Sequence, residues 1–261
     1  MTGADPIPRP VVLHAGDRQV VAAFDFDGTL TGGGSVWRFL SAMRGRRAVA
    51  AAVATLAPRL VAAALLGGDH ADRAKEALFT RVLGGLALAD VERDAAAFGS
   101  EHLRRRGRQD MLQRLAWHQR QGHRTVIVSA SPALYLHAVA QELGVDAVVA
   151  TRLAVGVDGL LTGCYDGRNC RGAEKIGRLR HYMAASALRD GDGAAAAPTT
   201  EGGGASDAAA TDAEPFLWAY GNSAGDRQLL AAADIGVDVG KLGRWGKLRR
   251  FPRLAAVPGP R

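Results

Sequence analysis

The feature that most constrains this chain is a short run at residues 19–26, QVVAAFDF, which is continuously apolar until it meets Asp25 and then Asp27. A strand with one wet face would alternate apolar and polar residues. An unbroken run this short instead suits a strand buried on both faces of a parallel sheet. Asp27-Gly28-Thr29 then reads as a turn. Carboxylates at the end of a buried strand cost free energy unless charge or hydrogen bonds compensate them. The strand period of two would send both side chains the same way unless the turn intervenes. Taken alone, the pair is also readable as a turn cap.

Similar runs recur at 125–128, ending in Ser129-Ala130-Ser131-Pro132, at 145–150, and at 215–220, which leads into Gly221-Asn222-Ser223. Helical patterns occupy 134–143, closed by Gly144, and 225–233. Strands alternating with helices predict an α/β fold built on a parallel sheet flanked by helices. Ligands in such sheets gather at the carboxyl ends of the strands, where these polar residues lie. Residues 32–121 are rich in Ala, Leu and Arg, with helical spacing and no convincing strand. They predict an all-helical cap inserted into a core formed by 1–31 and 122–261. Within that core, 184–214 is dominated by Ala, Gly, Asp, Ser and Thr, and is expected to be a disordered low-complexity loop.

Thirty-three basic and 26 acidic residues give a formal charge of +7, which favours anionic ligands without choosing among phosphates, acidic lipid and nucleic acid. The arginines at 104–106 and the basic stretch 247–253 lack interleaved aromatics and any binding motif, so they read as solvated faces and no nucleic-acid partner is expected. Cys164 and Cys170 read as reduced thiols, and no histidine has metal-ligand spacing. Trp37, Trp117, Trp218 and Trp245 read as core or cap contacts. The N-terminal stretch has acid and proline where a signal peptide has a basic start and an apolar run, so a cytoplasmic protein is expected.

In order along the chain, FDFDGTLT, VIVSAS, Lys175 and GNSAGD resemble the four motifs of the haloacid-dehalogenase (HAD) superfamily. The nearest likeness is to its subfamily IB, the phosphoserine-phosphatase-like branch with a helical cap, which also holds phosphatidylglycerophosphate phosphatases. The resemblance implies a Rossmann-like HAD core and a phosphatase that works through an aspartyl-phosphate. Asp25 would be the nucleophile and Asp27 the general acid and then base, a role that requires it to enter protonated. Ser129 and Lys175 would hold phosphoryl oxygens, with Gly28 and Thr29 beside them. Mg²⁺ would be held by Asp25, Asp27 through its main-chain carbonyl, Asn222 and Asp226. Members that cleave carbon–halogen bonds lack the second aspartate, so dehalogenation is not expected.

The chemistry accounts for the residue types. A phosphate dianion repels an attacking carboxylate, by about 1 kcal/mol at 4 Å in water but roughly 4 kcal/mol at an effective dielectric near 20. A cation and a lysine offset that repulsion. Asn222 departs from the pattern, because the relatives carry an aspartate there; weaker metal binding follows, and with it the alternative of a weak or inactive protein that binds anionic ligands. The stretch Gly32-Gly33-Gly34-Ser35 lacks the acid that reads the ammonium group of phosphoserine, which disfavours that substrate.

Residues 48–66 are mostly apolar, with Pro58 and Arg59 in the middle. As a membrane span the stretch is marginal: each Val or Leu contributes about −0.3 to −0.6 kcal/mol, while a central Arg costs about +2.5 to +3.5. Two readings stay open, a buried helical pair in the cap, or a surface resting on anionic lipid at the inner face of the membrane. The substrate is accordingly expected to be a small or a lipid phosphate ester.

Overall fold

The computed structural model describes residues 18–193, 214–240, 251–254 and 257–259. Its centre is a five-stranded, wholly parallel sheet in the order β3-β2-β1-β6-β7. The strands are β1 (Val20–Phe24), β2 (Arg124–Pro132), β3 (Ala147–Thr151), β6 (Phe216–Gly221) and β7 (Ile235–Asp238). The unbroken apolar run of β1 is explained by its two dry faces. Val21 and Ala23 join a cluster with Leu179, Met183 and Leu229 on one side of the sheet. Ala22 and Phe24 join Leu115, Leu136 and Trp218 on the other. The chain moves outward from β1 through β2 to β3, then crosses back to β6 on the opposite side of β1. That reversal of winding opens a crevice at the carboxyl end of the central strand.

Between β1 and β2 lie five helices: α1 (Val36–Arg44), α2 (Arg46–Leu66), α3 (Gly68–Leu83), α4 (Leu88–Arg106) and α5 (Gln109–Arg120). Two differences from the sequence reading concern domain bounds. Helix α5 packs on β2, burying Met111 and Leu115 in the main core, so it belongs with the sheet rather than with the inserted cap. Amphipathic spacing cannot tell a cap helix from one lying on a sheet. The second concerns 184–193, expected as loop. Helix α7 (Ala173–Gly193) carries on through it, since alanines sustain a helix already nucleated by a packed first half. Residues 194–213 lie outside the described residues, as does Trp245.

Helix α2 also departs from one of the two readings. It is a single helix that runs through Pro58, and it is largely exposed rather than a buried pair. Trp37, expected as a packing contact, is exposed as well. A small antiparallel hairpin, β4 (Leu153–Val155) and β5 (Leu161–Tyr165), packs on α3 and was not legible in the sequence. Helix α6 (Ala133–Leu143) follows β2 and ends at Gly144 with a positive φ of 63°.

Close approach of two helices sets one strict requirement. Gly99 of α4 faces α6 so tightly that a Cβ there would lie 2.7 Å from the Tyr135 carbonyl oxygen. We expect Gly99→Val to lower stability by about 1–3 kcal/mol through overpacking, read as a reduced urea midpoint; an unchanged midpoint would mean that α4 and α6 separate without cost.

Candidate active site

Four segments converge at the crevice. The chain leaves β1 at Asp25, whose backbone N–H donates to the Tyr220 carbonyl of β6 at 2.9 Å. Asp25 Oδ1 accepts from Lys175 Nζ at 2.6 Å, and Asp226 Oδ1 accepts from the same nitrogen at 2.5 Å. All three side chains are buried. Lys175 sits in the first turn of α7, and the loop before it is docked by the Gly172 N–H donating to the Gly225 carbonyl at 2.9 Å. The fourth segment is a tight turn, Ala224–Asp226, ahead of α8 (Arg227–Ala232). There Asp226 Oδ2 accepts from the Asn222 N–H, the Ser223 N–H and the Ser223 hydroxyl. Gly221 is required because a Cβ would fall 2.5 Å from that of Asp226.

The two acids share one ammonium unequally. Burial opposes ionisation of Asp226, but Lys175 and the Ser223 donors overcome it and hold the carboxyl below its ordinary value. Asp25 lacks those donors. Burial and the charge of Asp226 push it up to about 7, against the pull of Lys175. Burial also works against the charge on Lys175, yet Asp25 and Asp226 together raise it, so the lysine is an ammonium.

Asp27 faces other company. Its Oδ2 accepts from the Ser131 hydroxyl at 2.6 Å and the Ser35 hydroxyl at 2.9 Å, and Ser35 also meets the Tyr135 hydroxyl at 2.6 Å. Its Oδ1 is buried with no hydrogen-bond partner among the described residues. The strand ends at Phe24, so the turn, not the strand period, directs these two carboxylates to different neighbours. Ser129 is buried near the end of β2, and its Oγ accepts from the Ser131 N–H at 3.1 Å.

Three oxygen-bearing groups meet at one point. A terminal atom of the Asn222 amide lies 3.0 Å from the Asp27 carbonyl oxygen and 3.2 Å from Asp25 Oδ2. With the amide oxygen turned that way, carboxylate, carbonyl and amide oxygens face one another, which is unfavourable unless a cation lies between them. With nitrogen turned that way, the amide bridges the same two oxygens. The donor set fits a hard cation such as Mg²⁺. No group of three or more His, Cys, Asp or Glu residues with metal-holding geometry occurs among the described residues, so the amide and the carbonyl are essential to that fit. Asp226, expected as a fourth ligand, has both oxygens engaged by Lys175, Asn222 and Ser223.

Gly28 and Thr29 serve the turn. Gly28 has a φ of +82°, and a Cβ there would run into Asn222 at 2.0 Å. The buried Thr29 hydroxyl lies 3.3 Å from both Asp25 Oδ2 and Asn222 Oδ1, tying the first motif to the fourth.

Residues the sequence did not single out complete the site. Lys75 of the cap helix α3 donates to the Ala130 carbonyl at 2.6 Å and to Asn169 Oδ1 at 3.2 Å. Burial pulls it down to about 8, against the opposing charges of Asp27 and Asp72. Beside it a cleft of about 430 Å³ opens between α3 and the loop before α7, lined by Asp72, Arg73, Glu76, Tyr165, Asn169 and Arg171 among others. Ser131 was visible as part of the second motif. Nothing in the sequence distinguishes Lys75 from a solvated helix lysine. Cys164 and Cys170 are free thiols; burial raises Cys170 to about 11, leaving it unreactive.

The fold and this constellation define a hydrolase of the α/β type with a cap over the strand ends. The chain belongs to the haloacid dehalogenase-like hydrolase family, which it matches over residues 22–231. It is 32% identical over 226 residues to protein CicA of Caulobacter vibrioides, covering 87% of this chain and 88% of CicA. Among solved structures, a protein of unknown function from Bordetella pertussis Tohama I superposes with a TM-score of 0.68 at 20% identity, over 90% of this chain and 98% of that one. A phosphoserine phosphatase solved as a phospho-aspartyl intermediate analogue superposes with a TM-score of 0.52 at 17% identity, over 85% and 87% of the two chains.

The raised value of Asp25 has a consequence for stability in the absence of metal. Between its ordinary 3.8 and about 7 the folded chain binds a proton that the unfolded chain has lost, so this contribution to stability is present at acid pH and is lost as pH rises through 7. In EDTA we expect wild type to lose melting temperature between about pH 5 and about pH 7.5, and Asp25→Asn to remove that part of the slope. Parallel slopes for the two proteins would show that burial does not penalise Asp25.

Proposed function

We propose that this protein is a Mg²⁺-dependent phosphomonoester hydrolase that acts through an aspartyl-phosphate on Asp25. The observation that carries the reading is the division of labour between the two aspartates. Asp25 is held against a buried ammonium, whereas Asp27 is anchored through one oxygen and keeps the other unpartnered among the described residues. A nucleophile needs nearby positive charge, and an acid–base group needs one oxygen free to pass a proton.

In the first step a carboxylate oxygen of Asp25 bonds to phosphorus while the ester P–O bond breaks, and the leaving oxygen takes the proton of Asp27. In the second, water attacks phosphorus and gives a proton to Asp27 while the Asp25–phosphorus bond breaks, releasing inorganic phosphate. Lys175 offsets the charge of Asp25 and of the incoming phosphoryl group, and Ser129 donates to a phosphoryl oxygen. Lys75 brings a second cation from the cap, placing positive charge over the strand ends. Mg²⁺ held by Asp25, the Asp27 carbonyl and Asn222 would offset repulsion between nucleophile and phosphate when bound. The likeness of the motifs to the phosphoserine-phosphatase-like branch supports the same chemistry. The stretch Gly32-Gly33-Gly34-Ser35 lacks the acid with which that branch reads an ammonium group, which argues for a different small or lipid ester.

A screen across soluble and lipid phosphate monoesters with and without Mg²⁺ tests this. Asp25→Asn should lose turnover by a factor on the order of 10³ or more. An Asp25→Asn variant as active as wild type, or turnover indifferent to EDTA, would overturn the assignment. Asn222→Asp adds a charge to the oxygen cluster and should lower the Mg²⁺ concentration for half-maximal activity by about tenfold. If that concentration does not move, Asn222 is not a ligand.

A further inference from the structure

Helix α2 presents a contradiction that a water-facing surface does not resolve. It is 21 residues long and passes, by length and composition, for a membrane-crossing helix, yet only 17% of its apolar window is buried inside the protein. A helix that is apolar all round is ordinarily covered on every side. Here Val49, Ala52 and Ala63 pack inward, and α2 lies along α3. Ala50, Ala54, Ala57, Val61 and Leu65 recur at intervals of three or four on an exposed face, with Val61 58% and Leu65 79% exposed. Leu66, 65% exposed, and Trp37 of α1, 47% exposed, extend the apolar area.

The chain segment that carries this face holds charge of one sign. From residue 28 to residue 68 there is no Asp or Glu, while Arg38, Arg44, Arg46, Arg47 and Arg59 give a net charge of +5. All five are exposed, and none makes an ion pair among the described residues. Trp37, Arg38 and Arg46 border one shallow depression, which joins the apolar residues to the basic ones. Of the acids of neighbouring α3, Asp72 accepts from Asn169 at 2.6 Å, Glu76 accepts from the Tyr165 N–H at 2.8 Å, and Asp69 lines the cleft beside them.

We propose that α2 and the adjoining end of α1 dock on an anionic lipid bilayer, with the helix lying in the interface plane. Apolar side chains with arginines beside them match the acyl boundary and the headgroups of such a surface. A crossing orientation is opposed by Pro58 and Arg59 at mid-helix and by the anchoring of α2 along α3. A second copy of this chain is the poorer occupant, because a two-fold contact through the same patch sets Arg38, Arg46 and Arg47 against their own copies. This surface stands apart from the catalytic residues and does not depend on the reaction assigned to them.

Sedimentation of the full chain with vesicles tests the proposal. Vesicles of phosphatidylcholine with about one-third phosphatidylglycerol should carry the protein down, and pure phosphatidylcholine should not. Binding should weaken as salt rises. Arg46→Gln with Arg47→Gln should reduce affinity about 30-fold, taking about tenfold for every 1.4 kcal/mol. Leu65→Ser with Leu66→Ser should also release the protein, both double variants keeping the wild-type melting temperature. Asp25→Asn should bind vesicles as wild type does, so loss of catalysis and loss of docking are read separately. The proposal is overturned if anionic vesicles fail to bind, if neutral vesicles bind equally, or if the double variants bind unchanged. It is equally overturned if the chain without vesicles forms a dimer that Leu65→Ser with Leu66→Ser splits.

Discussion

The site depends on one buried ammonium shared by two carboxylates that come from opposite ends of the chain. Lys175 bonds Asp25 at 2.6 Å and Asp226 at 2.5 Å, with all three side chains removed from solvent. Removing one partner of such a group leaves an uncompensated buried charge, which typically costs about 3–5 kcal/mol. The first strand, the start of α7 and the turn after β6 are therefore locked together by charge as well as by packing. The asymmetry of the arrangement is chemically useful. Asp226 is saturated with donors and stays a fixed anion, whereas Asp25 Oδ2 has the longer contacts of Thr29 and Asn222, at 3.3 and 3.2 Å, and burial gives Asp25 the less favourable position.

Around that centre, the surroundings of each group fix its character. Hydroxyls of Ser35 and Ser131 orient Asp27, and Tyr135, kept protonated by burial and the charge of Asp27, supports Ser35 from behind. Gly28 and Gly221 are small because Asn222 and Asp226 pass over them. Two of the glycines in the motifs thus record close approach rather than flexibility.

Much of this was legible in the chain because the determinants are local. The unbroken apolar run before Asp25 announces a strand with two dry faces, and β1 divides its side chains between two cores as that pattern requires. Turn chemistry after each strand marked Asp25, Ser129 and Asn222 at the carboxyl edge. Boundaries were less legible. Periodicity shows that α5 has an apolar face but not that β2 covers it, and the composition of 184–193 does not show that α7 continues through it. The hairpin β4–β5 is too short to carry a pattern.

By itself the sequence determined the strand–helix alternation, the identity of the acids at the strand ends and the excess of arginine without acid between residues 28 and 68, since each is a property of neighbours along the chain. Only the tertiary structure decided that Lys75 reaches from the cap to the Ala130 carbonyl, that Asp226 spends its oxygens on Lys175 and Ser223, and that α2 lies exposed. Those facts rest on distances between segments far apart in the chain. No local spacing encodes them, because they follow from which faces the parallel sheet and its helices bring together.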